Sequence, residues 1–471
     1  MMRARVTPAV ALLAVALSYL GTQLMLFDES RYLDFDEAVY LSQVTPNKAA
    51  LTFSAHRARG ITWLLIPASW SHATLPQIRI YLAVISASML AGTFGIWLPL
   101  LGWATPLAAA FYGFTWVALF YGSEIMPNHF LALLVVGVAG SLARSFTASG
   151  WHWLVLSALI TAAAAAIRPT DAAAMAFGLG LATLVVALKK RFRTLLALGL
   201  GLLVGWVPWF YEAFTQFEGP IRRYQDAARL TSALNMNIFR HLSVTGGELL
   251  GTLPTIPLGG ALWWVGLAGF SMSAFRQVNG RDALRTLSLV TIGGAITSAP
   301  YFFLTRGVQE HLLAPVIAPR FLLPAYALIG IAAAVGVRGY LLIPRGSKLH
   351  RFTKAGATLL FLGAGAAWHL RVADQVAVEQ FGLRERPRLV GSALQSLAHG
   401  DPCVFASNFP SPDIEFASDC RWQRFPLALA ATAQALEDLA NETSRVFVVS
   451  RAGSAQSKLF LSWRPTPIDG T

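Results

Sequence analysis

Carboxylates are scarce in this chain, with 24 Asp and Glu among 471 residues, so their grouping carries information. The densest patch is Arg31-Tyr-Leu-Asp34-Phe-Asp36-Glu37-Ala-Val-Tyr40. Tyr32, Leu33, Phe35, Val39 and Tyr40 give it more apolar surface than a solvated loop needs. A carboxylate held against apolar walls suits general-base work, because it can accept the proton of a hydroxyl as that hydroxyl attacks. Asp36 is also placed to cap a short helix over residues 37–44. Asp34 is one further carboxylate of the patch. Glu124, in Tyr121-Gly-Ser-Glu-Ile-Met-Pro-Asn128-His129, is another.

Arginine forms the second group. Arg57 and Arg59 lie in Ser54-Ala-His-Arg-Ala-Arg-Gly60, and Arg79 follows. Arg222, Arg223, Arg229 and Arg240 populate residues 212–255, and Arg306 and Arg320 flank a segment containing His311. Arg168 ends an otherwise apolar run, before Pro169-Thr170-Asp171. The planar guanidinium fork matches phosphate oxygens. As a set near a membrane face, these residues suit a lipid phosphate or pyrophosphate; any one of them alone is a snorkelling side chain. His56, His129 and His311, with Asp or Glu, are the candidates for a divalent ion, although no two have ligand spacing. No other cofactor is indicated.

These residues need a scaffold, and composition says which. The chain is 55% hydrophobic and 13% charged, with a mean hydropathy of +0.53. That excludes an ordinary soluble enzyme, a disordered chain and a disulfide-rich mini-protein. The apolar runs are continuous, not alternating, which argues against a β-barrel. The reading is an α-helical polytopic membrane protein with about eleven transmembrane helices, near residues 8–27, 77–101, 104–122, 127–143, 151–167, 170–188, 194–214, 256–275, 287–304, 321–337 and 355–370. Residues 61–71 are too short to span and read as an interfacial helix.

Sidedness follows from Lys and Arg. Lys189, Lys190, Arg191 and Arg193, then Arg276, Arg281 and Arg285, then Arg338, Arg345, Lys348, Arg351 and Lys354 fall in loops on one side, expected to be cytoplasmic. The net charge of +13 is explained that way, and no nucleic-acid partner is expected. The N-terminus is then cytoplasmic. The loops 28–60, 121–128, 212–255 and 305–320 lie outside, attached to a transmembrane domain over residues 1–371.

Residues 372–471 are mixed in polarity. Strand-like runs at 403–406 and 446–450, with helical patterns at 388–398 and 426–440, indicate a small C-terminal extracytoplasmic α/β domain. Cys403 and Cys420 both fall in it, on the oxidising side, where a disulfide is expected. There is no Walker A motif and no nucleophile-elbow serine, and no internal repeat of the kind found in many transporters.

Taken in order, several segments resemble the GT-C superfamily of membrane glycosyltransferases, and more narrowly the branch of protein O-mannosyltransferases and lipid A aminoarabinose transferases. Phe35-Asp36-Glu37-Ala-Val-Tyr40 resembles the Asp-Glu signature of the first outer loop. His56-Arg-Ala-Arg-Gly-Ile-Thr-Trp-Leu-Leu-Ile-Pro67 occupies the place of the interfacial segment. Ser123-Glu124-Ile-Met-Pro-Asn128 resembles the second outer loop, and Ala166-Ile-Arg168-Pro-Thr-Asp171 a recurrent Arg-Pro-Thr element. Val207-Pro-Trp-Phe210 and Pro319-Arg320-Phe-Leu-Leu-Pro324 resemble two later ones. The interfacial segment lacks the Glu and Pro pair of the aminoarabinose enzymes, and Asn128 stands where an Asp is usual.

The resemblance implies a polyprenyl- or dolichyl-phosphate-linked sugar as donor, transferred with inversion to a lipid, glycan or protein acceptor outside a bacterial inner or plasma membrane. It implies Asp36 as the base and Glu37 as its orienting partner. Arg320 and Arg168 are the first candidates for the donor phosphate, with Arg57, Arg59 and Arg306 behind them. A transporter or flippase, or a polymerase or ligase of lipid-linked glycans, is the alternative on the same outer Arg and many spans.

Overall fold

The computed structural model describes residues 7–28, 30–147, 150–186, 191–231, 257–277, 281–303, 320–342, 348–407, 411–424 and 445–449. The helices run α1 (Pro8–Leu26), α2 (Phe35–Ser42), α3 (Gly60–Trp70), α4 (Leu75–Gly95), α5 (Leu98–Leu101), α6 (Ala104–Gly113), α7 (Trp116–Tyr121), α8 (Pro127–Thr147), α9 (His152–Ile167), α10 (Pro169–Val186), α11 (Arg191–Gln216), α12 (Pro220–Thr231), α13 (Pro257–Gln277), α14 (Arg281–Phe303), α15 (Leu323–Leu342) and α16 (Lys348–Ala398). Then come β1 (Cys403–Ser407), α17 (Pro412–Ser418), β2 (Arg421–Arg424) and β3 (Arg445–Val448). Five of them, α1, α4, α8, α11 and α15, are long and apolar enough to cross a membrane; α9, α10 and part of α13 are shorter apolar helices.

The single helix expected over residues 104–122 is two, α6 and α7. Thr115 ends one and starts the other: its hydroxyl donates to the Tyr112 carbonyl at 2.7 Å and accepts from the Ala118 amide at 3.3 Å. Backbone freed at such a break must be shielded from lipid, and residues on both sides of it are buried. At the other end of the chain, α16 runs 51 residues without interruption through residue 372, where composition changes.

Backbone contacts group the chain into two units. One comprises Met1–Phe27, Ser54–Ile61 and Arg79–Val376; the other comprises Asp28–Phe53, Thr62–Ile78 and Ala377–Thr471.

In the first unit α8 is the central helix, buried along nearly its whole length. Side chains such as Leu133, Val135 and Val138 are fully buried. Helices that pack within a bilayer gain little from the hydrophobic effect and rely on close van der Waals approach. α11 meets α9 that way: at Gly201 and Gly205, four residues apart, a Cβ would collide with the carbonyl oxygens of Ala158 and Ala162. This contact sets the end of α9 beside the second half of α11. Trp206 Nε1 on α11 donates to the Pro169 carbonyl at 3.2 Å.

The second unit holds a three-stranded parallel sheet, ordered β2-β1-β3, with Val404 opposite Arg421 and Val446. Cys403 and Cys420 form a disulfide beneath it, in a core with Leu394, Ala398, Phe405 and Ile414. The strand expected at 446–450 is Arg445–Val448, and β2 went unrecognised. The helical pattern expected at 388–398 is the end of α16, and the one at 426–440 lies outside the described residues. α17 packs on α2, and Lys48 fastens the same region: its Nζ donates to the Phe416 carbonyl at 2.7 Å and to Asp419 at 2.8 Å.

Candidate functional site

The acidic patch folds into α2, and its three carboxylates divide the work. Asp34, not Asp36, is the N-cap, and the helix is Phe35–Ser42 instead of 37–44. The reason is a capping box: Asp34 caps the first turn, and Glu37, three residues on, accepts the Asp34 amide at 2.9 Å. Glu37 is fully buried, and the same Oε2 takes Arg384 of α16 at 3.1 Å. Glu37 is thereby held by a backbone amide and a guanidinium. Asp36, on the first turn between them, stays partly exposed. Of the two adjacent acids Asp36 is the less buried.

α17 brings one more acid into this unit. Burial raises the Asp413 carboxyl to about 6, and the Asp34 charge adds to the rise. Burial together with Asp413 and Asp419 pushes the Tyr32 phenol upward.

In the first unit, arginines scattered through the sequence gather. Arg168 precedes Pro169, which forces the residue before it into an extended conformation. Arg168 has φ −149° and ψ 93°, ends α9, and leaves Pro169 to open α10. Asp171 follows in the first turn and pairs with the Arg168 guanidinium. The Arg168 and Arg320 guanidinium carbons each lie 5.3 Å from the centroid of one ring, that of Phe321. Arg320 is buried.

The segment carrying Arg57 and Arg59 is attached to the same region from two sides. On one, Gly60 abuts the α9–α10 junction: a Cβ there would lie 2.6 Å from Ala166 C and Ile167 Cα. On the other, Arg223 acts as a clamp. Gly219, at φ +114°, turns the chain from α11 into α12 and brings Arg223 back over α11. Arg223 is fully buried between the rings of Trp209 and Phe217, each 4.8 Å away. It donates to the carbonyls of Ala55 at 3.2 Å, Arg57 at 3.0 Å and Trp209 at 2.7 Å, and to Glu212 at 2.9 Å. The other Glu212 oxygen takes Arg59. Burial lowers the Arg223 pKa, and Glu212 opposes that shift. Arg57 is buried and donates to Ser54. The region thus combines five guanidiniums (Arg57, Arg59, Arg168, Arg223, Arg320) with two carboxylates (Asp171, Glu212), an arrangement suited to an anion.

Glu124 is buried and faces Arg79 Nη1 at 3.4 Å; both side chains have zero exposure. Arg79, expected at an outer membrane edge, is an interior residue that also donates to the Ser123 carbonyl at 3.1 Å. His129 lies in a buried polar network. Its Nε2 contacts Ser86 at 2.7 Å and Tyr19 at 3.2 Å, and its Nδ1 contacts Tyr112 at 3.0 Å. Both ring nitrogens are thus engaged in hydrogen bonds within the interior. His56 is exposed. Arg306 and His311 lie outside the described residues. Among the described residues no three His, Cys, Asp or Glu side chains gather to hold a metal.

Sequence reading missed Glu212, Arg223 and Arg384 as partners. The Asp34-x-x-Glu37 spacing was a signal for the capping box. Nothing in sequence pairs Glu37 with Arg384, 347 residues away.

Neither a protein-family profile nor a curated protein sequence matches this chain. Its fold does have solved relatives. ArnT from Cupriavidus metallidurans, bound to undecaprenyl phosphate, superposes with a TM-score of 0.60 over 92% of this chain and 89% of that one, at 17% identity. The apo form gives 0.59 at 15% identity, over 90% and 88%. The apo oligosaccharyltransferase of Archaeoglobus fulgidus gives 0.53 at 13% identity, over 93% and 69%. Both are GT-C glycosyltransferases, and at these identities the likeness is one of fold.

Proposed function

We propose that this chain is an inverting membrane glycosyltransferase. It moves a sugar from a polyprenyl- or dolichyl-phosphate donor to a lipid, glycan or protein acceptor on the extracytoplasmic face. The observation that carries this reading is the gathering of Arg59, Arg168 and Arg320, remote in sequence, around Glu212, Gly60 and Phe321. ArnT, with this fold, is bound to undecaprenyl phosphate, which supports the same class of lipid phosphate here.

In the reaction, Asp36 accepts the proton of the acceptor hydroxyl as its oxygen bonds to the anomeric carbon. The bond from that carbon to the phosphate oxygen breaks on the opposite face, and polyprenyl phosphate leaves with the electron pair. Negative charge builds on the leaving oxygen. Guanidiniums fixed beforehand by Asp171, Glu212 and Phe321 stabilise it without reorganising. Glu37 acts through the helix: it anchors α2, which presents Asp36. The roles of Arg57 and Arg320 as phosphate ligands belong to this proposal, as do the eleven-span topology, a cytoplasmic N-terminus and an outer C-terminal α/β domain. The Cys403–Cys420 disulfide supports an oxidising side for that domain.

The test uses purified protein in detergent with a panel of synthetic polyprenyl-phosphate sugars, following release of polyprenyl phosphate. Wild type is expected to release it, and folded D36N to lose on the order of 10²–10⁴-fold in rate. Equal release by both removes Asp36 from the mechanism. Binding of donor with no release by wild type, acceptor panel included, favours a carrier of lipid-linked glycans.

A further inference from the structure

A cavity of about 340 Å³ opens among α5, α8, α14 and α15. It lies within the range of roughly 300–1,000 Å³ typical of small-molecule sites. Arg144 and Thr147 of its lining belong to the last turn of α8. The helix begins at Pro127, so these residues sit about 23–28 Å along it from Asn128 and His129. The cavity is therefore at the opposite end of the bundle from the residues that adjoin the second expected outer loop.

Its lining is amphiphilic in an ordered way. Leu101, Leu287, Val290 and Ile331 supply apolar wall. The polar groups, Arg144, Thr147 and Thr286, fall where α8 ends and α14 has just begun, so they collect at one end of the cavity. Val290 and Ile331 lie further along their helices, toward the middle of the bundle.

Arg144 is the informative residue. Its guanidinium lies over the Trp153 ring at 4.5 Å. Its Nε is buried, and among the described residues it has no acceptor and no carboxylate pairs with it. Arg144 is half-buried, and a buried N–H without an acceptor costs free energy that an anion would recover. A guanidinium stacked on an indole and opening on an apolar chamber matches one ligand chemistry: a phosphate or similar anion carrying a hydrocarbon chain.

We propose that this cavity is a binding site for an anionic phospholipid, with the headgroup phosphate on Arg144 and one acyl chain between α14 and α15. The site does not rest on the transferase reading, and its test reads lipid and not turnover. Full-length protein in detergent is equilibrated with phosphatidylglycerol or phosphatidylcholine, and retained lipid is measured by native mass spectrometry. Wild type is expected to retain phosphatidylglycerol on the order of tenfold better than the zwitterionic lipid, as befits one charge-assisted hydrogen-bonded contact. R144Q should lose the preference. V335W keeps the guanidinium but fills the chamber, and should lose retention of both lipids. Added phosphatidylglycerol should raise the melting temperature of wild type and not of V335W, which also shows whether each variant is folded. Equal retention of the two lipids by wild type overturns the proposal. So does unchanged retention in folded R144Q and V335W, which marks ordinary surrounding lipid. Displacement of phosphatidylglycerol by undecaprenyl phosphate at equal concentration, lost in R144Q, would reassign the site to the polyprenyl lipid and overturn the phospholipid assignment.

Discussion

Gly60 lies against the backbone of Ile167 so closely that a Cβ on it would sit 2.6 Å from the Ile167 Cα. That contact ties the segment bearing Arg57 and Arg59 to the turn bearing Arg168. Neither side is a flexible side chain that could give way.

The segment is held from its other side by Arg223, which suggests a paired experiment. G60A must push the 54–61 segment off the α9–α10 junction. R223K keeps the charge but cannot span the carbonyls of Ala55, Arg57 and Trp209 together with Glu212. Amide hydrogen exchange in residues 54–61 should rise in both variants while that of α8 stays unchanged. Donor KM should rise on the order of ten- to a hundredfold, the effect of misplacing a binding group by about 1 Å. Unaltered exchange in folded R223K would remove Arg223 as the clamp.

Glu37 and Asp36 are adjacent but should fail differently. E37A removes the capping partner of the Asp34 amide and leaves the Arg384 guanidinium buried without its counter-charge. Such a loss costs about 3–5 kcal/mol, and thermal melting in detergent should fall accordingly. D36N should melt close to wild type yet lose activity. A stable, active E37A protein would contradict the Glu37–Arg384 pair.

Phe321 is shared by two cations. F321L keeps side-chain bulk and changes no charge, but removes the ring face under Arg168 and Arg320. Each such contact is worth about 0.5–2 kcal/mol. Donor KM is therefore expected to rise several-fold or more, with kcat changed less. A fall in kcat at constant KM would separate Phe321 from donor binding.

Asp413 makes stability depend on pH. Its carboxyl titrates at about 6 in the folded protein, above the ordinary carboxylate value. The folded state therefore holds this proton more tightly than the unfolded chain does. Its contribution is complete below the ordinary value of about 4. It is lost as pH rises from there to about 6. The melting temperature of wild type should fall across that window relative to D413N, whose profile should be flatter. Equal slopes for both proteins would mean that Asp413 ionises normally.

Sequence alone determined the class of molecule, because hydropathy and composition are summed along the chain and need no partner. It located most helices for the same reason. It also marked the Arg168-Pro169 break, since proline acts on its immediate neighbour. Asp36 stood out because acids are rare here, and the Arg residues because guanidinium chemistry does not depend on the fold. Local reading erred where two local rules competed: Asp34 and Asp36 can each cap a helix, and only the reciprocal contact with Glu37 selects Asp34. The break at Thr115 was hidden in a run apolar throughout, where composition is blind to a turn. Tertiary structure alone decided that Glu37 belongs to Arg384, that Glu124 is neutralised by Arg79, and that Arg59, Arg223 and Glu212 form one group. Those pairings join residues from 11 to 347 positions apart. A charge can lie in an apolar interior only when its partner is brought to it, and which partner arrives is set by how helices such as α9 and α11 pack.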